Sequence, residues 1–204
     1  MLCLLSARDM DSRAKTHPNP ATPTMTATLL ATVPAFSTCD LCDAHKERLG
    51  QGIQVLPGTL QHYGGVRRFA GPVRTVKCYE DNSLVKAAVE SASWLEAQGR
   101  RWAAVLVVDG GGSMQRALLG GLLGAAAVRH AWAGVVVDGC VRDVAELREL
   151  SVGIMARSTV PMPTERRGQG LADVPVRLVG QWVHPGDWLY ADEDGIVLSK
   201  TPLL

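Results

Sequence analysis

The 204-residue chain predicts a single α/β domain with a partly parallel central sheet, and three observations carry that reading. Two continuous Val-rich runs, 103–108 and 133–137, have strand length and the composition of strands covered on both faces, as in parallel pairing. Between them Leu122, Leu123, Ala126 and Ala127 recur at helical spacing, so a strand, helix, strand unit with a right-handed crossover is the economical arrangement. Each apolar run ends in Asp-Gly, at Asp109-Gly110 and Asp138-Gly139.

The remaining elements follow in chain order. Residues 1–25 mix Pro18, Pro20, Pro23, threonines and charges without periodicity, which predicts a disordered extension before a domain spanning 26–204, with Met25 at its start. Ser37 with Asp40 three residues later forms a capping box, and Leu41, Ala44, His45 and Arg48 lead to Gly50, a helix of about three turns. A strand is expected over 73–79. Asn82 or Ser83 then caps a helix with Leu84, Ala87, Ala88, Ala92 and Leu95 on its apolar face, stopped near Gly99. Segments 152–156 and 174–179 read as strands, and 188–190 and 196–198 flank Asp194-Gly195 as a closing hairpin.

Composition narrows the function classes. A net charge of +1 leaves no global field to hold a nucleic-acid backbone or an anionic membrane, so direct nucleic-acid binding is not expected. The longest apolar stretch, 117–128, holds three glycines and stops at Arg129, short of the roughly 20 residues a bilayer span needs. Five cysteines form an odd, sparse set, which points to a reducing compartment. The lone Cys39-x-x-Cys42 reads as two cysteines on one short helix or as a redox pair, the first being favoured. The start MLCLLSAR fits neither a signal peptide nor a transit peptide, so the cytoplasm is the expected location.

Ligands of open α/β sheets collect beyond the carboxyl ends of the strands. Two loops are expected there, each followed by a helix: Asp109 to Ser113, rich in glycine, and Asp138 to Asp143. Glycine admits a ligand close to the backbone, and free amides at a helix start favour a carboxylate or phosphate, so a small anionic substrate is expected. Arg142 beside Asp143 joins a fork for a carboxylate to an oxygen ligand for a hard cation. The same pair also reads as a helix start, with Asp143 and Glu146 as caps and Arg142 as a surface partner. Gly120 and Gly121 place a helix start near Gly121, exposing the amides of Gly120, Gly121, Leu122 and Leu123, or else serve as packing glycines under a strand. Ser113 lacks a nucleophile-elbow context, and the glycine loop is no dinucleotide or phosphate fingerprint. Cys140 reads as a buried strand-end thiol. His17, His45, His62, His130 and His184 are scattered, and Asp187, Asp192, Glu193 and Asp194 read as turn residues.

The strings VKCYEDNSLV, VLVVDGGGSMQRALLG, WAGVVVDGCVRDVAEL, SVGI and GDWLYADEDGIVLS, in order from Phe36 to Pro202, resemble the family of the regulator of ribonuclease E activity A. Its enzymatic members are 4-hydroxy-4-methyl-2-oxoglutarate aldolases. The resemblance implies a swivelling β/β/α domain in a homotrimeric ring with sites at subunit boundaries, and a divalent cation, magnesium or manganese. It implies Arg142 as the residue that binds the substrate carboxylate and stabilises the enolate, Asp143 as the direct metal ligand, and Gly120 to Leu123 as the substrate-binding helix start. Gly121 stands where many enzymatic members have an Asp that organises metal-bound water, whereas Asp143, which regulator-only members can lack, is retained. The function implied is a metal-dependent lyase that cleaves 4-hydroxy-4-methyl-2-oxoglutarate to two pyruvates and decarboxylates oxaloacetate through the same pyruvate enolate. Decarboxylation is expected to be the faster, since it needs no base at a hydroxyl. The alternative is a non-enzymatic regulator that binds an RNA-degrading endonuclease by protein contact.

Overall fold

The computed structural model describes residues 30–204; the extension expected over 1–25, and Met25 with it, lie outside the described residues. Ser37 opens helix α1 (Thr38–Ala44) by accepting a hydrogen bond from the Asp40 amide, as the capping pattern predicts. The helix is shorter than its spacing predicts. His45 leaves helical geometry, and a 3-10 turn over Lys46–Arg48 completes the segment.

Strands β1 (Ile53–Leu56), β2 (Gln61–His62) and β3 (Phe69–Lys77) precede helix α2 (Ser83–Val89). The helix expected to reach Gly99 stops at Val89 and buries Val85, Ala88 and Val89, leaving Ala87 exposed. Beyond it β4 (Trp94–Ala97) and β5 (Arg100–Ala103) form an antiparallel hairpin, turning at Gln98 and Gly99, both at positive φ. Aromatic packing explains the difference. Trp102 is buried edge-on to Trp188 of the closing hairpin at 5.2 Å, and across the β4–β5 pair Arg101 lies 4.0 Å over the Trp94 ring, contacts that helical spacing at Ala92 and Leu95 does not offer.

The middle of the chain runs β6 (Val105–Asp109), β7 (Ala117–Leu119), α3 (Gly121–Arg129), β8 (Gly134–Val141), α4 (Val144–Arg148) and β9 (Gly153–Thr159). Short strands β10 (Leu171–Ala172), β11 (Val176–Leu178) and β12 (Gln181–Val183) lead to the closing hairpin of β13 (Trp188–Ala191) and β14 (Ile196–Ser199). The main sheet has the partly parallel character the sequence predicts. Strands β3, β6, β8 and β9 are parallel neighbours, extended antiparallel by β13, β14 and β1 on one side and by β2 on the other. Burial on both faces accounts for the unbroken Val runs. Leu106, Val108, Val135 and Val137 pack under α2, α3 and α4, while Val105, Val107 and Val136 meet Val176, Leu178 and Leu189 on the other face.

Two expectations for the strand ends are corrected. No helix follows Ser113; the buried Ala117–Leu119 instead forms β7, parallel to β8, because pairing with Cys140 and Val141 buries Leu118 and Leu119 completely enough to outweigh helical spacing. Strand β8 likewise continues through Asp138 to Val141, past an irregularity in its pairing with β9, so the expected loop narrows to Arg142 and Asp143.

Candidate active site

The start of α3 is capped from a distant segment. Gly120, its N-cap, has no side chain to offer, and the Gly121 amide donates to Asp143 Oδ2 at 3.0 Å. Asp143 sits in the left-handed region at φ 58, ψ 43, which Asp tolerates better than most residues, and its side chain makes no cap bond to α4. The acid that reads as a cap for its own helix therefore caps another, adding a negative charge at the positive end of α3. Pairing between β7 and β8 sets up this arrangement. The Arg142 amide donates to Leu119 O at 2.9 Å, and Arg142 Nε lies 3.4 Å from Asp143 Oδ2.

Arg142 and Asp143 line a cavity of about 410 Å³ with Gly120, Leu122 and Leu123, within the usual size range of small-molecule sites. Gly121 contributes the capped amide rather than a wall. All six residues singled out in the sequence thus meet at one helix start. The two glycines are not packed under a strand. A Cβ at 120 would stand 2.5 Å from Asp143 Oδ2 and 3.0 Å from Arg142 Cγ, and one at 121 would stand 1.8 Å from Glu146 Oε2. Glu146, read above only as a cap, places its carboxylate against Gly121, where a side chain at that position would begin. Its spacing of three from Asp143 on a helix was the available signal.

The other wall was not legible as an element. Residues 160–170 carry no periodicity, yet Pro163, Thr164 and Arg166 line the cavity together with Ala117 and Asn82. This arm is tied down by side chains at the start of α2. Buried Asp81 accepts hydrogen bonds from the Arg167 amide at 2.7 Å, the Gln169 amide at 3.1 Å and the Ser83 amide at 2.7 Å, while Ser83 Oγ accepts from the Gly168 amide at 3.0 Å. Burial by itself opposes ionisation of Asp81, but the hydrogen bonds from Ser83, Gln169 and Arg167 outweigh it and bring its pKa from 3.8 down to about 2. A carboxylate depressed in the folded state stabilises it fully above its unfolded pKa, and that contribution fades as pH falls toward the folded value. Acidification from pH 4 to pH 2 is therefore expected to lower the protection of the Arg167 and Gln169 amides, each rate being referred to its intrinsic exchange rate at that pH, before that of the β6 amides falls. Equal protection of both sets across that window would remove Asp81 as the clamp.

Other candidates take structural roles. Asp109 accepts from the Gly111 and Arg177 amides, and Asp138 pairs with Arg157 and accepts from the Val179 amide, so the two strand-end acids hold β11 and the glycine loop in place. That loop, 110–112, is absent from the cavity wall, which corrects its reading as a ligand loop. Cys140 is buried and its thiol is pushed up by burial; Cys78 is pushed up to about 12. On α1, a hydrogen bond to Asp194 and its charge raise Cys39, and burial raises Cys42, the reverse of what a reactive thiol needs. Ser113 Oγ donates to Glu80 Oε1 at 2.7 Å. His45, His62, His130 and His184 lie away from the cavity wall, and His17 lies outside the described residues. Asp192 does more than turn the chain, since it accepts from both the amide and the hydroxyl of Thr38 and anchors α1 to the closing hairpin. Among the described residues no helix is long and apolar enough to cross a membrane.

Comparison with known proteins places the chain as a whole in a family. Residues 38–198 match the RraA-like family, described as aldolase/RraA. A protein of Albidiferax ferrireducens named as a candidate 4-hydroxy-4-methyl-2-oxoglutarate aldolase is 61% identical over 171 residues, covering 84% of this chain and 99% of its own. The solved RNA-processing inhibitor RraA from a Thermus species is 42% identical, covers 82% of this chain and 94% of its own, and superposes with a TM-score of 0.74. A Geobacillus kaustophilus structure named S-adenosylmethionine: 2-dimethylmenaquinone methyltransferase is 39% identical, with 82% and 97% coverage and a TM-score of 0.73. By sequence over most of its length and by the path of its backbone, this chain belongs to the RraA-like family.

Proposed function

We propose that the protein is a divalent-metal-dependent carbon–carbon lyase, cleaving 4-hydroxy-4-methyl-2-oxoglutarate to two pyruvates and decarboxylating oxaloacetate through a shared pyruvate enolate. The observation that carries this is the placement of the Arg142 guanidinium and the Asp143 carboxylate on one cavity wall at the start of α3. The name of the Albidiferax relative agrees with it.

The residues present fit a hard cation. Asp143 Oδ2 is engaged by the Gly121 amide, while Oδ1 has no hydrogen-bond partner among the described residues and Asp143 faces the cavity. No group of three His, Cys, Asp or Glu side chains suited to a metal forms among the described residues. A single carboxylate oxygen with water filling the other positions is the donor set magnesium accepts, and manganese shares the preference for oxygen. Bound there, the cation supplies Lewis-acid polarisation of the substrate's 2-oxo group.

The chain's own groups do the rest. The Leu122 and Leu123 amides and the Arg142 fork receive the carboxylate next to the 2-oxo group. As the bond between C3 and C4 breaks, its electron pair becomes the C2–C3 double bond while the carbonyl π pair moves onto the 2-oxo oxygen, the Arg142 charge offsets the enolate that forms, and a proton taken up at C3 completes the pyruvate. In the aldol cleavage the C4 hydroxyl must lose its proton, and Glu146, whose carboxylate lies beside Gly121 just outside the cavity lining, would take it through a bridging water. In oxaloacetate the same electron pair is released as carbon dioxide departs, with no hydroxyl to deprotonate.

Pyruvate release from both substrates, measured with magnesium or manganese and again with a chelator, tests this reading. Metal-dependent release with both, decarboxylation being the faster, is the expected result. No release above the metal-only blank with either substrate would transfer the assignment to the second reading, a regulator that contacts an RNA-degrading endonuclease. The inhibitor structure from Thermus is what favours that alternative. A homotrimer in the cytoplasm acting on small 2-oxo acids completes the proposal.

A further inference from the structure

The cavity that holds Arg142 receives a second guanidinium from a different segment, Arg166 on the arm at 160–170. We propose that Arg166 receives the distal carboxylate of a dicarboxylic 2-oxo acid and so selects doubly charged substrates over monocarboxylic ones with the same head. This rests on Arg142 as the receptor of the head carboxylate.

The arginines near this cavity are not equivalent, and only Arg142 and Arg166 line it. Arg116 lies 3.8 Å from Glu80 and 3.5 Å from Glu165, and Arg167 pairs with Glu165, so both are offset by protein carboxylates. Arg166 pairs with no carboxylate among the described residues. Its one side-chain hydrogen bond there runs from Nε to Asn82 Oδ1 at 3.2 Å, and Asn82 is only 9% exposed and itself lines the cavity. That bond orients the guanidinium through Nε and leaves the two terminal nitrogens without a protein partner among the described residues. Those are two of the donors with which an arginine grips a carboxylate as a fork.

The arm is also held in place on the far side of Arg166. Asp81 binds the Arg167 and Gln169 amides, and Ser83 binds the Gly168 amide, so the backbone that carries Arg166 is tied to the same turn that supplies Asn82. Less ordering is then required when a ligand arrives. Two guanidiniums against the one cavity carboxylate, Asp143, leave an excess of positive charge that a second substrate carboxylate would offset.

The test uses the full chain loaded with manganese and two stable five-carbon probes that differ only at the far end, 2-oxoglutarate and 2-oxopentanoate. Neither carries a 4-hydroxyl, so neither can undergo aldol cleavage. Calorimetric titration is expected to show 2-oxoglutarate binding at least about tenfold tighter than 2-oxopentanoate. In Arg166→Gln that preference falls to within about twofold, the affinity for 2-oxopentanoate staying as it was, and Arg166→Lys restores part of it. The proposal is overturned if the native protein shows no preference or no binding, if the preference survives in Arg166→Gln, or if that variant weakens both probes equally. A preference that depends on Arg166 in a protein that releases no pyruvate would sink the lyase reading while leaving this one standing.

Discussion

Replacing Asp143 with Asn is expected to lower metal-dependent pyruvate release by about 10³-fold or more, the scale of a lost Lewis-acid contribution of several kcal/mol, while the fold is kept. Asn is the informative substitution because it tolerates the left-handed backbone at φ 58 and its amide oxygen can still accept the Gly121 hydrogen bond. What it removes is the charge. The cost in stability should stay within about 1 kcal/mol, the usual size of a charge at a helix terminus. Asp143→Ala would confound the two effects, since it removes the cap of α3 and forces alanine into a strained conformation. The measurement pairs a thermal midpoint with kcat on oxaloacetate across a manganese titration. An Asn variant that turns over within a fewfold of the native protein would reduce Asp143 to a helix cap.

Gly120→Ala carries the second large effect. The new methyl would stand 2.5 Å from Asp143 Oδ2 and 3.0 Å from Arg142 Cγ, closer than contact allows, so the two groups proposed to receive the cation and the substrate must both move. Displacements on the scale of 1 Å at a reacting centre cost about 10²-fold in rate, and that loss in kcat/KM is expected for both substrates. Gly121→Ala behaves differently. The three nearest neighbours of its methyl would be Glu146 Oε2 at 1.8 Å, Cδ at 2.8 Å and Cβ at 3.3 Å, all in one exposed side chain whose carboxylate end can swing away, so decarboxylation should be largely retained and aldol cleavage reduced. Equal losses in both reactions for Gly121→Ala would remove Glu146 from the hydroxyl proton transfer.

Much of the scaffold was legible because its signals are local. The Val runs of β6 and β8 report burial on two faces, Ser37 reports a helix start through an amide three residues away, and Asp194-Gly195 turns the closing hairpin. The break at Gly120 and Gly121 located the start of α3, and Arg142 with Asp143 stood out by chemistry alone. The hairpin of β4 and β5 was hidden because its strands are held by aromatic packing against Trp188 rather than by their own spacing. Strand β7 was hidden because its apolar residues suit a helix equally well until Cys140 and Val141 are alongside.

The amino-acid sequence by itself determined which residues can bind an anion and a hard cation, since that depends on side-chain chemistry at a helix start. Only the tertiary structure decided what each of them faces. It turned Asp143 from the cap of α4 to the cap of α3, set Glu146 against Gly121, withdrew Asp109 and Asp138 into backbone hydrogen bonds, and brought Arg166 on an aperiodic arm to the same cavity as Arg142. The physical reason is common to all four. Periodicity and capping record interactions between neighbours in the chain, whereas the partner of a side chain across the sheet is set by strand pairing and by a single left-handed residue, neither of which leaves a local pattern.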